Sequence, residues 1–360
     1  MRYFLIMAYD MLNTSKSLFM APMAEITTAS LRRCIRKFDP DTILYSEMLS
    51  AAAIVHGSEQ NKYLLHTNEN DNPYVFQILG GNAELMAAAC EILAEKGAAG
   101  IDINMGCSAP DIIKKMQGSR LLSDISIARD IVKKCRKVYK GSLSVKMRSS
   151  FDHPVRFAST PPGEGNAPHQ NPVNHINPDN RVNLVEFAKM LESEGIDYIA
   201  LHPRDGKQSF KRTADWNLVK LLKENLKIPV IGNGDIASPE DVVKRFDETG
   251  CDGIMIGREG VRAPWIFALA GELIKTGNYS LKVDLAAVFR EVLLGIKEDL
   301  PEYLHKSRAH RFALYFSKNF VFSHEIFRKI RNLNEIDFMI EIIDEYVTRN
   351  PNEKIKVFAG

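Results

Sequence analysis

The chain has 360 residues, 47 basic against 45 acidic side chains for a formal net charge of +2, and is 45% apolar and 26% charged. This is the make-up of a globular protein. It excludes a disordered or fibrous chain, and it removes bulk charge as a reason to expect a nucleic-acid partner, so any polyanion has to be met by a local patch. The length allows two or three domains, or one (β/α)8 barrel of about 250 residues with a smaller unit. The five cysteines, Cys34, Cys90, Cys107, Cys135 and Cys251, never form a C-x-x-C pair, which argues against a disulfide framework or a zinc site. No run reaches the roughly 18 apolar residues that cross a bilayer. The apolar stretch 1–9 has no signal-peptide cleavage pattern, so a cytoplasmic location is expected.

In chain order, short apolar runs predict strands at 18–20, 42–46, 74–79, 101–104, 143–147, 198–202, 229–232 and 253–256, separated by amphipathic helical stretches. The helix at 83–96 ends at Gly97, the residue that tolerates a left-handed cap. Gly100-Ile101-Asp102, Gly195-Ile196-Asp197 and Gly250-Cys251-Asp252 read as one recurring helix-to-strand junction. Eight strands over this length and no G-x-G-x-x-G favour an α/β TIM barrel over a doubly wound sheet. The segment 151–181 carries six of the sixteen prolines and little periodic apolar content. It is an inserted loop on the catalytic face, either a lid or substrate contact or a tolerated surface insertion. Its His153, His169 and His175 have no metal-ligand spacing, and no metal is expected.

The barrel is assigned to 1–277. From 278 to 360 the alternation stops, and helices are expected at 281–300, 302–320 and 336–349. Between His305 and Arg331 lie Lys306, Arg308, Arg311, Lys318, Arg328, Lys329 and Arg331 against the single acid Glu325, a local +6 that leaves the rest of the chain near −4. These basic residues are either a phosphate-facing patch or a solvated helix face. The interleaved Phe312, Tyr315, Phe316, Phe320, Phe322 and Phe327 read better as helical core than as base-stacking platforms.

In such a barrel the C-terminal strand ends converge on one mouth. Those ends carry Ala21-Pro22-Met23, Glu47, Gln77, Asn104-Met105-Gly106-Cys107, Lys146 with Arg148, His202 with Arg204, Asn233-Gly234-Asp235 and Gly257-Arg258. The set suits an isoalloxazine ring with a phosphate tail. Lys146 and Gln77 would meet the ring's polar edge, where positive charge stabilises a reduced anionic flavin. The glycines after strands seven and eight would meet the phosphate. Cys107, on a turn, suits a proton donor; a nucleophile would need a base, and only His202 is at hand.

Taken together, these stretches resemble the tRNA-dihydrouridine synthases. The matching residues are Phe19-Met20-Ala21-Pro22-Met23, Gln77-Ile78-Leu79-Gly80, Asp102-Ile103-Asn104-Met105-Gly106-Cys107, Gly118-Ser119-Arg120-Leu121-Leu122, Val145-Lys146-Met147-Arg148, His202-Pro203-Arg204, Ala214-Asp215-Trp216 and Gly232-Asn233-Gly234-Asp235-Ile236. The resemblance implies that NADPH reduces FMN, whose N5 delivers hydride to C6 of a uracil in tRNA while Cys107 protonates C5. It implies FMN contacts from Ala21, Pro22, Met23, Gln77, Asn104, Lys146, His202, Asn233, Gly234, Asp235, Gly257 and Arg258. It implies substrate contacts from Arg148, Arg204, Arg308, Arg311 and Lys329, with 278–360 as a tRNA-binding helical domain. The chain is expected to act as a monomer. Two positions depart from the family pattern: Ser108 stands where Pro is usual after the cysteine, and Asp205 where Thr usually closes His-x-Arg-Thr. The alternatives are a small-molecule flavin oxidoreductase of the dihydroorotate dehydrogenase or old yellow enzyme type, and a non-catalytic RNA-binding protein that keeps the barrel as a scaffold.

Overall fold

In the computed structural model, which describes residues 16–58, 60–65, 67, 71–150, 183–205 and 213–360, each apolar run becomes a strand. They are β1 (Ser17–Met20), β2 (Leu44–Ser50), β3 (Tyr74–Leu79), β4 (Gly100–Met105), β5 (Ser142–Ser150), β6 (Tyr198–Asp205), β7 (Val230–Asn233) and β8 (Gly253–Ile256). All seven ladders are parallel, in the order β1-β8-β7-β6-β5-β4-β3-β2. A parallel bridge between Phe19 and Ile43, with Met20 N donating to Ile43 O at 2.9 Å and Ile43 N to Leu18 O at 2.9 Å, closes the ring. Each strand is followed by a helix that packs around the barrel, α1 (Ala29–Phe38), α2 (Ala51–Val55), α3 (Ala83–Glu95), α4 (Ile125–Val138), α5 (Leu184–Ser193), α6 (Asn217–Asn225), α7 (Pro239–Thr249) and α8 (Ile266–Thr276), with extra short helices at Gln60–Leu64, Pro110–Ile113 and Arg258–Arg262. This is the (β/α)8 barrel. Side-chain caps start most of them, including a full capping box of Ser238 and Asp241 at α7.

Two junctions share one device. Asp197 N donates to Leu143 O at 2.8 Å while its carboxylate accepts from Leu143 N at 2.7 Å, and Asp252 repeats this on Val230 at 2.9 and 2.8 Å. The preceding glycines, Gly195 and Gly250, have φ of 95° and 64°. The third expected copy does not belong to the set. There Gly97 is the left-handed residue, at φ 80°, while Gly100 already starts β4 and Asp102 lies inside the barrel.

Strand two departs from expectation at both ends. The Thr42 hydroxyl is tied to Asp39 Oδ2 at 2.5 Å, so the strand starts later, and a register shift between Tyr45 and Met48 carries it to Ser50. Strands β5 and β6 also run beyond the expected 143–147 and 198–202, which adds Arg148 and Arg204 to the strand residues alongside Lys146 and His202. The segment 151–181, with its three histidines, lies outside the described residues.

After the barrel come β9 (Ser280–Asp284), α9 (Leu285–Asp299), α10 (Glu302–Phe316), α11 (Ser323–Ile330), α12 (Ile336–Arg349) and β10 (Ile355–Ala359). The start of the expected first helix is thus a strand, paired antiparallel with the C-terminal β10. Asp284 then caps α9 by accepting from Ala287 N at 3.0 Å. The 302–320 helix stops at Phe316 and tightens into a 3₁₀ turn at Ser317–Asn319, and α11 was not foreseen. Phe312, Phe316 and Phe320 are buried, Tyr315 and Phe327 pack against the core, and Phe322 is exposed. Trp265, from the barrel, meets Phe316 at 6.2 Å and Phe358 at 5.5 Å between centroids, so one apolar core runs from barrel to tail.

Candidate active site at the barrel mouth

Alternation along each strand decides what faces the interior. A lower layer of Phe19, Ala21, Ile43, Tyr45, Val75, Tyr198, Ala200, Ile231 and Met255 fills the lumen. Two residues on from Val75, Ala200 and Ile231 come Gln77, His202 and Asn233. By the same period β4 presents Asp102 then Asn104, and β5 presents Ser144, Lys146 and Arg148. Register sets Gln77 beside Asp102, Asn104 beside Lys146, and Arg148 beside His202.

The β3–β4 side is a hydrogen-bonded amide array. Gln77 Nε2 donates to Asp102 Oδ2 at 2.8 Å, and Asn104 Nδ2 donates to Gln77 Oε1 at 2.8 Å. Asn104 Oδ1 accepts from the backbone N–H of Gly106 at 3.0 Å and of Cys107 at 2.9 Å, which shapes the turn that carries the thiol. Cys107 O accepts from Ser119 N at 2.8 Å, and Gly118, at φ 60°, lies so close that a Cβ there would stand 2.4 Å from Cys107 O. Cys107 is half-buried, whereas Cys34, Cys90, Cys135 and Cys251 are buried core residues. Arg148 reaches over this turn, its Nε donating to Gly106 O at 3.2 Å and Nη1 to Asp205 O at 2.8 Å. The departing Asp205 is thus buried at the end of β6, near Arg148.

Lys146 stands at the centre. Its ammonium makes no hydrogen bond or ion pair among the described residues. Burial presses its pKa down to about 8, against the attraction of Asp102, while burial pushes Asp102 up to about 6 against its bonds to Ser144 and Gln77. Between those values both are charged. On the far side, burial first and then Lys146, Arg148, Arg204 and Arg258 drive the His202 pKa down to about 2, so the imidazole is neutral. Arg204 Nη1, 3.0 Å from His202 Nε2, can only donate, which puts the imidazole proton on Nδ1.

Arg204 is 2% exposed and bidentate to Asp235 at 2.6 and 2.7 Å, so it braces the site and presents no free guanidinium to a substrate. Asp235, at φ 52°, also accepts from Ala214 N at 2.7 Å and lies 3.8 Å from Arg258. Asn233 Nδ2 is committed to Met255 O at 2.7 Å. Gly234 has φ 132°, and a Cβ would come within 3.0 Å of Ala214 and 3.1 Å of His202, so only glycine fits. Ala21 N donates to Ile256 O at 2.8 Å, and Ala21 and Met23 lie beside Gly257 after the short Pro22 turn.

Of the residues expected to meet substrate from the tail, Arg308 is buried and spans Glu25 at 3.2 Å and Glu47 at 3.7 Å, Arg311 pairs with Glu25, and Lys329 pairs with Glu325 at 3.2 Å. None is a free cation. Sequence reasoning singled out neither Asp102 nor Ser144 as a site residue. The signal was there, since each lies two residues before a chosen one on the same strand.

Among the described residues no cluster of His, Cys, Asp and Glu is placed to hold a metal, and no helix is long and apolar enough to cross a membrane. The dihydrouridine synthase (Dus) family model matches residues 19–159 and 166–336. The chain is 31% identical over 258 residues to probable tRNA-dihydrouridine synthase 1 of Synechocystis sp., covering 72% of this chain and 65% of that protein. It is 33% identical to tRNA-dihydrouridine synthase B of Pasteurella multocida, over 78% of this chain and 76% of the relative. With the same enzyme of Vibrio parahaemolyticus it shares 30% identity over 92% of this chain and 95% of the relative. A family match over well more than half of the chain, with relatives aligned along most of both lengths, places this protein in the dihydrouridine synthase family.

Proposed function

We propose that the protein reduces uridine to 5,6-dihydrouridine in tRNA, with FMN at the barrel mouth and NADPH as the source of reducing equivalents. One observation carries the reading: Lys146 holds a half-buried ammonium with no hydrogen-bond or ion-pair partner among the described residues, at the centre of a polar mouth. A partly desolvated cation in that state, its pKa already pressed down, favours an anionic or strongly accepting ligand. The surrounding residues fit a flavin phosphate. Gln77 offers an amide edge, His202 is a neutral polar group, Gly234 allows close backbone approach, and Arg258 is half-exposed.

When bound, FMN supplies the hydride that saturates the uracil C5–C6 bond. Lys146 would hold the ring's electron-rich edge, Gly234, Gly257 and Arg258 the phosphate, and Cys107 would donate the proton to C5. Arg148 and Asn104 keep the thiol turn in place for that donation. The target uridine has to leave its stack to reach the mouth, at a cost of a few kcal/mol. Exposed basic residues of the tail would hold the tRNA while it does so, in the cytoplasm where tRNA is found. The purified chain should be yellow. Cys107→Ala should retain FMN and abolish dihydrouridine formation on unmodified tRNA, read by mass spectrometry; a protein that binds no FMN would overturn the proposal.

A further inference from the structure

We propose that Asp102 is a positioning residue whose two acceptor oxygens fix the direction of a hydrogen-bond chain through Gln77 and Asn104 to the backbone of Cys107. The chain is bounded at both ends. At one end a carboxylate only accepts, taking Ser144 Oγ–H on Oδ1 at 2.6 Å and Gln77 Nε2–H on Oδ2 at 2.8 Å. At the other end the N–H groups of Gly106 and Cys107 only donate. Between them lie two amides with two orientations each. One combination of the four satisfies every contact: Gln77 Oε1 toward Asn104, and Asn104 Oδ1 toward the turn. All three side chains are buried, so an arrangement with facing like groups has no water to fall back on.

The consequence reaches the mouth. The fixed polarity leaves one Gln77 Nε2 hydrogen without a partner among the described residues, as a donor of set direction. It also ties the Cys107 turn to the barrel interior. Asp102 touches neither the thiol nor the mouth; it acts through Gln77 and Asn104. Its place next to Lys146 in charge adds a counter-charge for that ammonium.

The role is tested by near-isosteric substitutions that packing alone would not distinguish. The readout is the rate at which iodoacetamide modifies Cys107 in the full chain at pH 8 before FMN is added, mapped by mass spectrometry. The other four cysteines are buried. Gln77→Glu sets two acceptors face to face and should speed Cys107 modification about tenfold. Adding Asp102→Asn restores a donor-to-acceptor contact and should bring the rate back to within about twofold of wild type. Asp102→Asn alone keeps an acceptor for Gln77 and should stay near wild type, whereas Asp102→Ala should behave like Gln77→Glu. A Gln77→Glu rate equal to wild type, or a double variant as fast as Gln77→Glu, overturns the proposal. Should Gln77→Glu fail to fold, a folded double variant supports the proposal and an unfolded one overturns it. FMN affinity should follow the same order. That second readout alone rests on the flavin reading, so a wild-type chain that ignores FMN refutes the reading and leaves the modification rates to decide Asp102.

Discussion

Burial and four surrounding cations keep His202 neutral, and this has a thermodynamic cost that shows only in acid. The unfolded chain takes up a proton near pH 6.5, the folded one only near 2, so the folded state loses stability as pH falls below 6.5, by at most about 1.4 kcal/mol per unit. Asp102 acts with the opposite sign. Its folded pKa is raised from 3.8 to about 6, so the folded state binds the proton first and gains stability as pH falls through 6 toward 3.8. Between those limits the two slopes oppose each other, and the wild-type curve hides both. Replacing the imidazole by an amide removes one of them. The unfolding free energy of His202→Asn, minus that of wild type, should therefore rise by about 1.6 kcal/mol from pH 6.5 to pH 5 in urea titrations. A difference that stays constant over that range would mean that the imidazole is not held neutral. A neutral His202 with its proton on Nδ1 suits a site whose positive charge is supplied by Lys146 and the arginines.

At the level of elements, close helix approach is what joins barrel and tail. Gly295 on α9 lies against α1, where a Cβ would sit 2.6 Å from Ser30 Cβ and 2.9 Å from Arg33 Nη2. Beside it Arg33 pairs with Asp299 at 2.9 Å. In an isolated helix, glycine to alanine gains about 1 kcal/mol, but overpacking a tight contact costs about 1–3 kcal/mol. Gly295→Ala should therefore lower stability, seen as a lower urea midpoint with unchanged slope; a raised midpoint would show that the joint has slack. The same scale shows what the sequence could reveal. Short apolar runs bounded by helical stretches are local signals, and all eight barrel strands and the order of residues at the mouth are legible from them. The β9–β10 pairing was not legible, because Ser280 meets Ala359 across some eighty residues and neither strand has a local reason to be one. Asp102 departs from the expected junction for a related reason. A Gly-x-Asp triplet caps a junction at Asp197 and Asp252 but lies one strand-turn deeper at Asp102, and only the position of the left-handed glycine, Gly97, separates the cases. The free or committed state of Arg204, Arg308 and Arg311 depends on Asp235, Glu25 and Glu47, which lie far away in the chain.

At the scale of the whole molecule, cations paired within the fold stand apart from exposed cations that have no ion-pair partner among the described residues. Arg308 and Arg311 cross from the tail to Glu25 and Glu47 beside the barrel mouth, and Arg308 is buried with no hydrogen-bond partner for its Nε among the described residues. Burial raises the Glu47 pKa and Arg308 lowers it, so removing Arg308 strands a buried carboxylate and should act on stability. Arg328 and Arg331 differ. They are exposed, stand three residues apart at the end of α11, and have no ion-pair partner among the described residues. On a shared helix face they present two charges to one phosphate backbone. If the tail carries tRNA, each phosphate contact adds about 0.7–0.9 to the slope of log affinity against log salt. The double variant Arg328→Gln/Arg331→Gln should therefore weaken tRNA binding at low salt and flatten that slope by about 1.4–1.8. Its unfolding midpoint and FMN affinity should match wild type. Arg308→Gln should do the reverse, lowering the midpoint while leaving the slope within experimental scatter. Filter binding of tRNA at several salt concentrations, run beside urea titrations of the same preparations, separates the two. An unchanged slope in the Arg328/Arg331 variant would move the tRNA-facing surface away from the end of α11, to other exposed cations such as Lys306 and Lys318.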